Sequence, residues 1–350
     1  MPTTVRASSP ADLAVLLPYQ LGYHPGPSLV VVVVHDRRLG LMQRHDLPPE
    51  GPMCEARARH ALDVAKRERP TGLLLLAYED EPGESEPLRR AVVEAAASRA
   101  VPVGQQVLVR GRRWWSVERG RPRPKIGLPL PAPEDVPGVA AFVGAGVAPF
   151  ASREALVAGI LPPRDEARAA RVARRLEQEE AGRAASRHWQ RLLDPGPEAV
   201  PVVELSDADL ARILASLADV ALRDALMAAL APGTMPLTSL PGPAREDALV
   251  AAARCPWTGI EDVEEMTESG REGLLTVRSR LVEVTRLVPE AGTPDLLALI
   301  AHLAWFAGDG TVTGVCLEQA LAVDPGHRLS QLMLRLLGAG VRPWSVPGAA

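Results

Sequence analysis

The apolar pattern is densest at residues 29–34, Leu-Val-Val-Val-Val-Val, apolar at every position and rich in β-branched side chains. Such side chains fit a pleated strand, and a strand apolar throughout is buried on both faces. Pro25, Gly26 and Pro27 mark a tight turn before it, and residues 35–40 read as a hairpin connection. Residues 41–46 then return as a strand whose alternation sets Met42, Arg44 and Asp46 on one face and Leu41, Gln43 and His45 on the other. A second apolar run, residues 73–78, predicts another buried strand, and residues 105–110 and 114–117 a hairpin around Gly111.

Helical periodicity falls between these strands. Ser9, Pro10 and Asp12 form a helix start, and the helix over 11–17 is expected to stop at Pro18. Residues 53–69 and 86–99 read as further helices, the second with Leu88, Val92 and Ala95 on one stripe. Strands separated by helices of this length indicate an α/β domain with a mixed sheet, assigned to residues 1–118. Six prolines between Arg119 and Gly138 predict a linker over 119–138.

Everything after the linker reads helical, so residues 139–350 form an all-α region. Residues 137–143 and 152–160 are short helices, and 165–193 is expected to be one long helix with an apolar seam through Ala169, Val172, Leu176, Trp189 and Leu192. Ser206 and Asp209 make a capping box, and 223–230, 244–254 and 273–287 continue the helical pattern. Glu261, Asp262, Glu264, Glu265 and Glu268 form an acidic patch, read as a solvated helix start. From about 294 to 338 the chain resembles a single tetratricopeptide repeat, carried by Gly308 and Asp309 at the turn, Ala320 and Leu321 in the second helix, and Asp324 with Pro325 at its end. It departs from that pattern at Thr313, where a smaller residue is expected, and one hairpin alone cannot build a solenoid.

Composition narrows the classes. An apolar content of 47% supports a sizeable core, and a formal charge of -4 argues against a nucleic-acid coat or a membrane-surface protein. Cys54, Cys255 and Cys316 are odd in number and far apart, supporting neither a disulfide framework nor a zinc ribbon. The first ten residues hold no apolar segment and no run approaches the ~20 residues of a membrane helix, so a cytoplasmic chain without a membrane segment is expected.

The densest chemistry lies around the first strand. Tyr23 and His24 in the turn, with Arg44 and Asp46 on the returning strand, form a candidate ligand or acid–base site. The plainer reading pairs Arg44 with Asp46 and leaves Tyr23 and His24 bracing the turn. His24, His35 and His45 do not converge as metal ligands need to, so no metal or cofactor is expected. The basic run from Arg110 to Lys125, with Trp114 and Trp115, has the makings of a single-strand surface. Only Lys66 and Lys125 are lysines, so arginine is simply the default base here, and nucleic acid is the weaker reading of an exposed hairpin. VGAGVAP lacks the third glycine of a dinucleotide fingerprint and reads as a helix end. No phosphate-binding loop, GxSxG or HExxH is present. Trp189, Trp257 and Trp305 read as core residues.

Three blocks, DLAVLLPYQLGYHPGPSLVVVVV with RHDLP, TGLLLLAYED, and FAGDGTVTGVCLEQALAVDPGHRLSQLMLRLL, together resemble the actinobacterial domain-of-unknown-function family 4192 over nearly the full length. The first block is the specific part. The resemblance implies an actinobacterial source and no established activity or catalytic residue. Members often carry a cysteine cluster after the tryptophan-containing strand; RRWWSVERGRPRPKIGLPL has none. The reading that follows is a non-catalytic binding or scaffold protein that meets a protein partner through its helical region. The alternative is an enzyme or small-ligand sensor using Tyr23, His24, Arg44 and Asp46.

Overall fold

The structure, a computed structural model, describes residues 7–36, 38–48, 51–144, 147–179, 185–260 and 265–343. It divides into two compact units, residues 1–156 and 157–350.

The first unit is built on the valine run. Ser28–His35 forms β1, hydrogen-bonded on one side to β2 (Arg38–Asp46) and on the other to β3 (Gly72–Tyr78), both antiparallel. β3 runs parallel to β4 (Val103–Arg110), and β5 (Arg113–Glu118) and β6 (Arg121–Pro129) complete the order β2-β1-β3-β4-β5-β6. Leu29, Val31 and Val33 pack on one face with residues of α2 (Pro52–Arg67) and α3 (Glu86–Ser98), the latter joining the parallel pair. Val30 and Val32 pack on the other face with Ala14 and Leu17 of α1 (Pro10–Leu21). The expected mixed sheet, doubly buried at β1, is therefore observed.

Two expectations are corrected here. Helix α1 does not stop at Pro18 but runs through it to Leu21. Proline lacks the N–H that would bond to the carbonyl one turn back, and the buried Tyr78 hydroxyl donates to that Ala14 oxygen at 3.0 Å instead. The segment 119–138 is not a linker: Arg121–Pro129 is the sixth strand, and the units part after Leu156. Its prolines are tolerated because an edge strand needs donors on one side only, and β6 is exposed at nearly every position. Helices α4 (Pro137–Gly144) and α5 (Arg153–Ile160) follow.

The second unit is helical. The expected long helix is two, α6 (Glu166–Leu176) and α7 (Ser186–Leu192). α6 closes with short-range bonds, from Gln178 N–H to Arg175 at 3.0 Å and from Glu179 N–H to Leu176 at 3.1 Å. Then come α8 (Asp207–Ser216), α9 (Val220–Leu230), α10 (Gly242–Ala251), α11 (Glu268–Leu287), α12 (Pro294–Phe306), α13 (Gly310–Val323) and α14 (Arg328–Gly338). The Ser206–Asp209 capping box is present at α8. Every residue of α12 except Asp295 is buried, which makes it the unit's central helix. Trp189, Trp257 and Trp305 are buried, as are all three cysteines. α12 and α13 pack as a helical hairpin through Gly308 and Asp309. Of the acidic patch, Glu261, Asp262 and Glu264 lie outside the described residues, as do Arg37 of the hairpin and Gly146 of VGAGVAP. Among the described residues no helix is long and apolar enough to cross a membrane.

Candidate functional site

Of the group singled out in the first unit, Arg44 and Asp46 lie together at one end of the sheet, and Tyr23 and His24 precede β1. Ser28 of β1 pairs with Asp46 on one side and Tyr78 on the other, so Arg44 and Asp46 lie beside the carboxyl end of β3. Open α/β sheets bind ligands at such ends. Arg44 lies opposite Val30, on the same face as Asp46, as alternation predicts. Its Nη1 donates to Asp46 Oδ1 at 2.7 Å, while its buried Nε has no hydrogen-bond partner. Asp46 itself is exposed. Tyr23 is buried and its backbone bridges Phe150; His24 is exposed and its N–H donates to the Phe150 carbonyl at 2.9 Å. Those backbone bonds brace the turn.

Sequence reasoning missed Glu154. Its carboxyl is held below the ordinary value by its own backbone N–H and by Ser152, with the nearby charges of Arg153 and Arg44 adding to this. The three histidines diverge: His24 sits in the turn, His35 lies 3.6 Å from Glu68, and His45 opposes Leu29 on the other face. Burial, then the charges of Arg57 and His60, push His45 down to about 4. Among the described residues no group of three or more His, Cys, Asp or Glu is placed to hold a metal ion.

The second unit contains a cleft of about 910 Å³. Leu176 of α6, Leu214 and Leu217 at the end of α8, and Val323 of α13 give it an apolar wall. Its polar lining comes from Glu290, Asp295, Gln319, Asp324 and His327. Asp295, the one position of α12 left partly open, accepts from Arg223 Nη1 at 2.7 Å and from His327 Nε2 at 3.0 Å. Burial opposes ionisation of Asp295, but these two hydrogen bonds and the Arg223 charge outweigh it and hold the carboxyl below its ordinary value. His327 also caps α14: its Nδ1 accepts from the Ser330 hydroxyl at 2.8 Å and, more weakly, from the Ser330 N–H at 3.4 Å. That network assigns the remaining proton to Nε2.

Ser330, His327 and Asp295 thus form a hydroxyl–imidazole–carboxylate chain. It is not a nucleophilic triad, because Ser330 is fully buried and outside the cleft lining. Among the described residues lining the cleft there is no Ser, Thr, Cys or Lys. Nothing in the sequence singled out this site. Asp295, Asp324 and His327 read locally as turn or helix-start residues, and the lining draws on four helices, α6, α8, α12 and α13, between Leu176 and His327.

The sequence profile of a domain-of-unknown-function family, DUF4192, matches residues 10–258 and 269–344. The chain belongs to this family. No curated protein and no solved structure matches the chain. The DUF4192 match takes in both units, and so both the Arg44–Asp46 group and the cleft.

Proposed function

We propose that the protein is a non-catalytic binding protein whose helical unit carries the binding surface. The observation that supports this is the cleft. Its volume of about 910 Å³ lies within the range of small-molecule sites. Part of its wall is aliphatic, and two of its polar groups, Asp295 and His327, are held in place by the Arg223–Asp295–His327 hydrogen bonds, which tie α9, α12 and the start of α14 together. Pre-positioned groups lower the ordering cost of binding. The α12–α13 hairpin, with its tetratricopeptide-like residues, is the natural place for a protein partner to meet the same unit.

The test is native mass spectrometry of the full chain after incubation with a small-molecule extract of its own cells. Wild type should retain a component at one per chain, and Ala215→Trp, which fills the cleft, should lose it. Equal retention by both proteins refutes the reading.

The second reading, a small-ligand sensor at Tyr23, His24, Arg44 and Asp46, draws support from the buried Arg44 Nε that has no hydrogen-bond partner. An Asp46→Ala variant that melts like wild type but loses a retained component would favour it. Destabilisation with retention intact would favour the bracing role.

A further inference from the structure

We infer that the cleft of the helical unit takes a small aliphatic amine bearing more than one ammonium group. This rests on the binding reading above and specifies its ligand.

The lining carries three carboxylates, Glu290, Asp295 and Asp324, against one histidine and no lysine or arginine. The cations nearby, Arg164 at 3.7 Å from Glu290 and Arg223 on Asp295, lie outside the lining. Helix ends add to the same sign. α8 and α13 both finish at the cleft, at Leu217 and Asp324, and carboxyl ends carry partial negative charge. The amino ends that also reach it are already compensated, α12 by Asp295 in its first turn and α14 by the His327 cap.

An anionic ligand would therefore meet Glu290, Asp324 and two helix carboxyl ends within the lining, while Arg164 and Arg223, paired with Glu290 and Asp295, lie outside it. A bare metal cation is no better served, because these side chains do not converge as a metal site requires. What fits is spread positive charge on an apolar stem. Ammonium groups meet the separated carboxylates, and the methylenes between them lie on Leu176, Leu214 and Val323.

The experiment is titration calorimetry of the full chain with spermidine as the probe, at fixed ionic strength. Saturable one-to-one binding is expected, lost in Ala215→Trp and weakened roughly tenfold or more in the Glu290→Gln/Asp324→Asn double variant. Both substitutions leave the Arg223–Asp295–His327 bonds untouched, so an unchanged melting midpoint shows that the fold is intact. Binding equally displaced by magnesium ions, unchanged in the double variant, or absent overturns the inference. If the component retained in mass spectrometry is neutral or acidic and is lost in Ala215→Trp, the amine inference fails while the binding reading stands. If Ala215→Trp loses nothing, both fail.

Discussion

Lowering the pH from about 7 to about 4 should destabilise the helical unit through His302. The imidazole is fully buried in α12, and its Nε2 lies 2.9 Å from the Thr234 hydroxyl. That hydroxyl already donates to the Ala231 carbonyl at 2.6 Å, so Nε2 carries a proton and donates it to Thr234. A second proton would charge a ring buried in the core beside Trp305, and burial pushes its pKa down from 6.5 to about 4. The unfolded chain binds that proton first. Stability from His302 is therefore complete above pH 6.5 and falls as pH drops through the interval, by ~3 kcal/mol once the folded state also protonates. Asp194, Asp207, Asp209 and Asp295 are all held below the ordinary carboxylate value of 3.8, so their contributions persist down to that pH and are lost only below it. The interval from 6.5 to 4 thus separates His302 from these carboxylates. His45, also at about 4, acts over the same interval but in the sheet unit. His302→Gln keeps a donor for Thr234 and removes the titration. Pulse-labelling hydrogen exchange along a urea series reads α12 peptides separately from the sheet. Wild type should lose ~2–3 kcal/mol between about pH 7 and pH 4.5, and His302→Gln markedly less. The same pH dependence in both proteins would refute the reasoning.

Three further outcomes follow from individual contacts. Gly127 has φ of +77°, and an added Cβ would lie no further than 2.8 Å from three atoms of the Trp115 indole, so Gly127→Ala should cost the sheet unit ~2–4 kcal/mol in urea unfolding. Tyr78→Phe leaves the Ala14 carbonyl opposite Pro18 without its donor and should cost ~1–2 kcal/mol, read as earlier exchange of α1 peptides. Ser206→Ala breaks the capping box of α8 and should cost ~1 kcal/mol in the melting of the helical unit.

The sheet was legible where burial dictated residue type. A strand packed on both faces must be apolar throughout, and residues 29–34 and 73–78 announce it. The capping box was legible because its two residues are three apart and bond to each other's backbone and side chains, although Asp209 also pairs with His188 and Arg191. What failed were the places where a distant group replaces a local rule. Pro18 reads as a stop until Tyr78, sixty residues on, supplies the missing hydrogen bond. The prolines of β6 read as a linker until the sheet provides one partner strand and solvent the other side. Of the candidate site, the shared face of Arg44 and Asp46 was readable from period two alone. The approach of Glu154 and the whole cleft were not, since they arise from tertiary packing between segments with no common periodicity.

Hydrogen exchange of the full chain, with and without the component it retains from a cell extract, tests the binding role of the helical unit most directly. Slowed exchange is expected at residues 290–295 and 319–327, around the cleft. Slowing confined to residues 23–46, or no slowing anywhere, would contradict it.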